Sequence, residues 1–168
     1  MSESDGSRGN MRLASNQVLS FRLGEETYGV DILAVKEIRG WAPVTRIPQS
    51  AEHVLGVLNL RGAIVPIMDL RRLFALPTAE FTPITVVIVM SLASPNGHRE
   101  CGIVVDAVSD VVDVPPEAIR PTPALSGAAN ADFIAGLAQV DDQMLILLDA
   151  TELLVRELAN AGASAKAA

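Results

Sequence analysis

Short apolar runs divided by turn residues make up most of this chain. At residues 18–23, Leu19, Phe21 and Leu23 alternate with Ser20 and Arg22, the two-residue period of a half-buried strand. Gly24-Glu25-Glu26 turns the chain, and Tyr28, Val30 and Ile32 then alternate with Thr27, Gly29 and Asp31. Residues 35–39 alternate less cleanly and lead to Gly40-Trp41; a short run at 44–47 is ended by Pro48. The segment 56–70 is two runs rich in Val, Ile and Leu, joined at a polar knot, Arg61-Gly62. Gly62 can take positive φ, so the segment reads as a β-hairpin with Arg61 at its tip. Asp69 then caps a short helix with Leu70, Leu73 and Phe74 on one face, stopped by Pro77.

The pattern repeats further on. Residues 85–90 form a strongly β-prone run, and Pro95-Asn96-Gly97 is a turn signal. Strands are expected at 101–105 and 108–114, stopped by Pro115-Pro116. Residues 119–132 read mostly as loop, and 133–140 with 144–148 as a last strand pair. Asp149, with Glu152 three residues on, predicts a helix start, the helix running through Leu158.

Two segments of the first half echo the second half, each without gaps. Residues 29–38 align on 102–111, and 54–69 align on 134–149, so that Gly56 meets Gly136, Asn59 meets Gln139 and Asp69 meets Asp149. The order of features, more than the few identities, predicts two copies of one small β unit. At roughly 65 residues and five strands, each copy has the size of an SH3-like barrel. The expected fold class is therefore all-β with minor helices: two SH3-like five-stranded β-barrel subdomains related by internal duplication. The copies span about 17–80 and 84–158 within one domain at 17–158. Residues 1–16 and the Ala-rich 159–168 lack periodicity and read as flexible tails. The copies differ at the hairpin tip, where Arg61-Gly62 becomes Asp141-Asp142. Folding therefore needs a turn there but not an arginine.

Composition narrows the function. Of 168 residues, 49% are hydrophobic, yet no run approaches the ~20 apolar residues of a membrane span. The polar start lacks the apolar core of a signal peptide, and the single cysteine, Cys101, has no internal partner, so a cytoplasmic setting is expected. The net charge of −7 and scarce aromatics argue against nucleic acid and anionic membrane surfaces.

No grouped chemistry stands out. His53 and His98 are the only histidines and lie far apart in sequence, and Cys101 opens a strand as a small core residue would. No zinc-ligand spacing, calcium loop or phosphate-cradling glycine loop is present, so no metal, cofactor or enzyme activity is expected. A small-ligand barrel would need convergent polar groups inside an apolar pocket, and none can be singled out. Binding to other proteins remains. The runs 86–89 and 108–112 carry apolar residues at successive positions, and small barrels cannot bury both faces of every strand.

Three motifs carry a family resemblance. Tyr28-Gly29-Val30-Asp31-Ile32-Leu33-x-Val35-x-Glu37-Ile38-Arg39, then Arg46-Ile47-Pro48, then Gly56-Val57-x-Asn59-Leu60-Arg61-Gly62-x-Ile64-Val65-Pro66-x-x-Asp69-Leu70-Arg71 resemble the CheW-type chemotaxis coupling proteins. Residues 102–111 continue the match, which spans roughly 17–154; a proline often found three residues after Pro48 is Ala51 here. The resemblance implies a non-catalytic cytoplasmic adaptor in chemoreceptor arrays. It would link the cytoplasmic tip of methyl-accepting chemoreceptors to the regulatory domain of the CheA histidine kinase, itself CheW-like. A coupling protein of a non-flagellar system such as twitching motility is the alternative. By this resemblance Val35, Glu37, Ile38 and Gly56 face the kinase. Asn59, Arg61, Val86, Val87, Val108 and Val111 belong to a groove for the receptor helices. A helix in a groove needs an apolar trough with polar anchors, and Arg61 has the fixed donors to grip a carboxylate or helix-end carbonyls.

Overall fold

A computed structural model describes residues 16–48, 54–76, 80–94, 97–121 and 133–153. These form eleven strands: β1 Gln17–Leu23, β2 Glu26–Asp31, β3 Val35–Gly40, β4 Val54–Leu60, β5 Ala63–Asp69, β6 Val86–Ser94, β7 Gly97–Val105, β8 Ala107–Asp113, β9 Ile119–Arg120, β10 Ile134–Val140 and β11 Gln143–Leu148. The hairpins follow the turn chemistry. Arg61-Gly62 joins β4 to β5, and Asp141-Asp142 joins β10 to β11. All four of these turn residues have positive φ. The helix α1, Leu70–Leu73, begins where Asp69 Oδ1 accepts from the Arg71 amide, and Asp149 Oδ1 likewise accepts from the Glu152 amide.

Two sheets result. The first is ordered β8-β1-β2-β11-β10-β9 and the second β3-β6-β7-β5-β4. The all-β class with two sheets is as expected, and strands are exchanged between the copies. The hairpin β1–β2 lies in the sheet of the second copy, and β6–β7 lies in the sheet of the first. The duplication accounts for the exchange. Matching β1 to β6, β2 to β7, β3 to β8, β4 to β10 and β5 to β11 turns one strand order into the other. Parallel pairing of β5 with β7 becomes that of β11 with β2. The bulge between Val54 and Gly56 recurs between Ile134 and Gly136.

Each sheet wraps its own core. Val65, Ile67, Val87, Val89 and Val104 fill the second; Val18, Val114, Ala138, Leu145 and Leu147 fill the first. A third cluster forms the seam between them, with Leu19, Phe21, Tyr28 and Val30 from one sheet against Met68, Ile88, Met90, Ile103 and Val105 from the other. Strand β1 is therefore not half-buried as its alternation suggested. Val18 faces the barrel core, Leu19 and Phe21 face the seam, and Ser20 is buried because its hydroxyl is satisfied by the Asp110 backbone at 2.9 Å.

Smaller departures have local causes. Ile32 opens a 3₁₀ turn, Ile32–Ala34, because the Asp31 carboxylate caps the Leu33 amide. The run at 44–47 reduces to one bridge, Thr45 with Val57, that closes the second barrel. Part of the expected loop at 119–132 is β9, the sixth strand of the first sheet. Residues 1–15, the Pro95-Asn96 turn, His53, Pro77, 122–132 and the helix from 154 onward lie outside the described residues.

Candidate partner-binding surfaces

The tip of the β4–β5 hairpin differs between the copies, Arg61-Gly62 standing opposite Asp141-Asp142. Arg61 sits there at φ 53°, a left-handed conformation that a residue with a Cβ avoids. Asn59 makes the turn possible, since its Oδ1 accepts from the Gly62 amide at 2.9 Å. The Arg61 side chain is 68% exposed, and it reaches across the barrel mouth to strand β3. There its Nη2 donates to Glu37 Oε1 at 2.7 Å, while Arg39 Nη1 donates to Glu37 Oε2 at 3.1 Å. Lys36 pairs with Glu100 beside them. Arg39 Nε is buried with no hydrogen-bond partner, so this corner already carries an unmet polar demand.

Hydrogen bonds from Arg61 and then Arg39 hold the Glu37 carboxyl below the usual carboxylate range, and Glu37 in turn raises Arg61. A lowered acid pKa stabilises the pair above the ordinary carboxylate range, and that contribution is lost as pH falls through the folded value. A carboxyl-carbon NMR titration of Glu37 should therefore show its midpoint rise in Arg61→Asn. An unchanged midpoint would remove Arg61 from the pair.

The side chains that the resemblance assigned to partners divide by position. On β3 the exposed and half-buried residues alternate, so Ile38 stands out at 45% exposure while Val35 and Glu37 are half-buried. Val111 on β8 is the duplicate of Ile38 and is also 45% exposed. Val86 and Val108 are half-buried against the seam, on either side of the residue where the chain crosses between sheets. Asn59 is exposed and serves the turn.

Two assigned residues are not at a surface. Val87 is fully buried in the second barrel's core, because on β6 it alternates with Val86 and Ile88 and points inward. Gly56 is buried against Thr45, with no room for any side chain. Sequence reasoning also passed over Leu33, Ile64, Ile84 and Met144, all exposed apolar residues. Ile64 and Met144 are duplicates, each second after a hairpin turn, and that equivalence was available in the alignment.

Among the described residues no group of three or more His, Cys, Asp and Glu is placed to hold a metal ion, and Cys101 is buried. A concavity of about 550 Å³ lies over Ala118, Arg120, Leu137, Gln139 and Met144. Its two polar side chains, Arg120 and Gln139, are both exposed, which suits an open surface rather than an enclosed ligand site. No helix among the described residues is long and apolar enough to cross a membrane.

Fold and surface together define a class: a two-barrel β scaffold whose distinctive chemistry is at a hairpin tip and on exposed strand faces. The chain belongs to the CheW-like family, whose domain model matches residues 17–158. It is 46% identical to the chemotaxis protein CheW of Klebsiella aerogenes over 141 residues, covering 84% of this chain and 82% of the relative. Identity to a probable chemotaxis protein CheW of Rhizobium etli is 36%, over 83% and 88% of the two chains. The crystal structure of the scaffolding protein TtCheW from Thermoanaerobacter tengcongensis matches with a TM-score of 0.73 at 30% identity, covering 80% of this chain and 89% of that one. This is a chemotaxis scaffold of all-β fold.

Proposed function

We propose that the chain is a non-catalytic cytoplasmic adaptor that joins the helical tip of chemoreceptors to the regulatory domain of the CheA histidine kinase. The observation that carries this reading is Arg61. It is held in a left-handed backbone conformation that the other copy fills with Asp141, a residue that tolerates it better. A strained, exposed arginine at a turn that folds without it points to selection for contact. Glu37 and Ile38 on β3 serve the kinase face, with Val35 behind them. Arg61, Val86, Val108 and Val111 serve the receptor face, Asn59 shaping the turn. Because Glu37 grips Arg61, the two faces meet at one ion pair.

Co-sedimentation with receptor-bearing membranes, with and without CheA, tests the reading: association should depend on receptors and strengthen with the kinase. Absence of both sinks it. Arg61→Asn should fold at least as stably as the parent, since Asn accepts the left-handed conformation, while receptor affinity drops on the order of tenfold. Thermal melting and co-sedimentation read the two effects separately. A melted domain that still bound would refute the anchor role.

A further inference from the structure

The two sheets are joined covalently at two crossovers among the described residues. The first is the 3₁₀ turn Ile32–Ala34 between β2 and β3. The second is a single residue, Asp106, between β7 and β8. Asp106 is fastened to both sides. Its amide donates to the Arg22 carbonyl of β1 at 3.0 Å, and its Oδ2 accepts from the Gly24 amide at 2.8 Å. Its Oδ1 accepts from Arg71 Nη1 at 3.0 Å, on the side of the second sheet.

Arg71 is only 1% exposed and every nitrogen of its guanidinium is engaged. Nε and Nη2 grip the two oxygens of the fully buried Asp69 at 2.9 and 3.0 Å. Nη1 also donates to the Glu80 carbonyl at 2.6 Å, and the guanidinium lies 5.0 Å from the Phe81 ring, which stacks on Trp41. One side chain thus ties α1, the 80–81 linker and, through Asp106, the β1–β2 turn of the other sheet.

The duplicate shows that the fold unit does not require this. Extending the alignment of 54–69 by two residues sets Arg71 opposite Thr151, and the alignment of 29–38 sets Asp106 opposite Leu33. Thr151 is exposed and Leu33 is 64% exposed, and neither can form an ion pair, so the Arg71–Asp106 contact has no equivalent between these two counterparts. A buried arginine carries a desolvation cost that apolar residues would avoid, and in some proteins such a group specifies one arrangement over others. The arrangement in question is the seam. Val86 of the second sheet pairs with Val105, next to Asp106, and Val108 of the first sheet follows two residues later.

We propose that Arg71 is a positioning residue that locks the β7–β8 crossover and so sets how the two sheets sit across the seam. Its consequence for partners rests on the adaptor reading; the lock itself does not. Arg71→Lys keeps the charge and loses the fork, and Asp106→Asn removes the charge at a residue that is partly exposed. Nitroxides on Arg99→Cys in β7 and Gln139→Cys in β10 report the distance between sheets by pulsed EPR. Both variants should stay folded, broaden that distance distribution and speed exchange of the Gly24 amide on the order of tenfold, while amides inside each barrel core change far less. Receptor co-sedimentation should weaken in parallel. A parental distance distribution in folded variants overturns the proposal, as do equal acceleration throughout both barrels and loss of folding in both variants. Failure of the unmodified protein to co-sediment would instead count against the adaptor reading, leaving the distance and exchange results to decide the lock.

Discussion

A fragment of residues 17–80 should fail to fold on its own, and so should 84–158, although each is one copy of the repeat. The strand order explains why. In the second sheet β3 reaches β5 only through β6 and β7, which belong to the other copy. Without them β3 loses its ladder with β6, and β5 loses its parallel pairing with β7. The core of that barrel loses Val87, Val89 and Val104. The hairpin β1–β2 would be left without β8 and β11, and an isolated two-stranded hairpin is marginal in water. Each fragment alone should give the narrow amide proton dispersion of an unfolded chain. Mixing the two should restore the dispersed spectrum, because every missing strand is then supplied. A dispersed spectrum from 17–80 alone would mean that the copies can close on themselves and that the exchange is not obligatory.

That exchange was the part of the fold that periodicity could not reveal. Hairpins are local: alternation, a two-residue turn and a capping Asp69 or Asp149 are all written within a dozen residues. The gapless alignment of 29–38 on 102–111 and 54–69 on 134–149 exposed the duplication. Which copy a strand pairs with is a long-range choice. Gly29 lies opposite Leu147, and Gly102 lies opposite Ile67. A Cβ on Gly102 would come within 2.5 Å of Ile67 and 2.9 Å of Val87, so these glycines allow the two halves to interleave closely. In the sequence they look like ordinary strand glycines.

The candidate site was legible to the extent that the copies differ. Arg61 stood out because Asp141 replaces it in the second copy. Glu37 was named through the resemblance, but its pairing with Arg61 was not legible, since their contact joins β3 to a hairpin tip 24 residues away. Apolar runs were the weakest guide. Val86 and Val87 look alike in sequence, yet one is half-buried at the seam and the other is fully buried in a barrel. The Arg71 lock was invisible for the opposite reason: a charged residue after a helix cap reads as solvated surface until Asp106 is seen to close over it.

Gly56→Ala should destabilise the domain by roughly 3 kcal/mol or more, and any loss of kinase binding should follow from that. Gly56 has φ 153° at the bulge of β4, where the ladder with β5 shifts register. An added Cβ would lie 2.1 Å from the Thr45 carbonyl oxygen and 2.7 Å from its carbon. The obstacle is backbone, and it is the backbone that closes the barrel: Thr45 and Val57 exchange hydrogen bonds of 3.0 and 2.8 Å beside it. Relief would require breaking that bridge, which would pull Val44 and Trp41 from the core they pack against. Ile38→Ala is the contrast, since Ile38 is exposed on β3 and touches no such constraint. Denaturant melts should place Gly56→Ala far below the parent and Ile38→Ala close to it, whereas kinase pull-down should fall for both. If Gly56→Ala melted like the parent but lost the kinase, Gly56 would be a contact after all, and the barrel closure at Thr45 would have to be softer than its hydrogen bonds indicate.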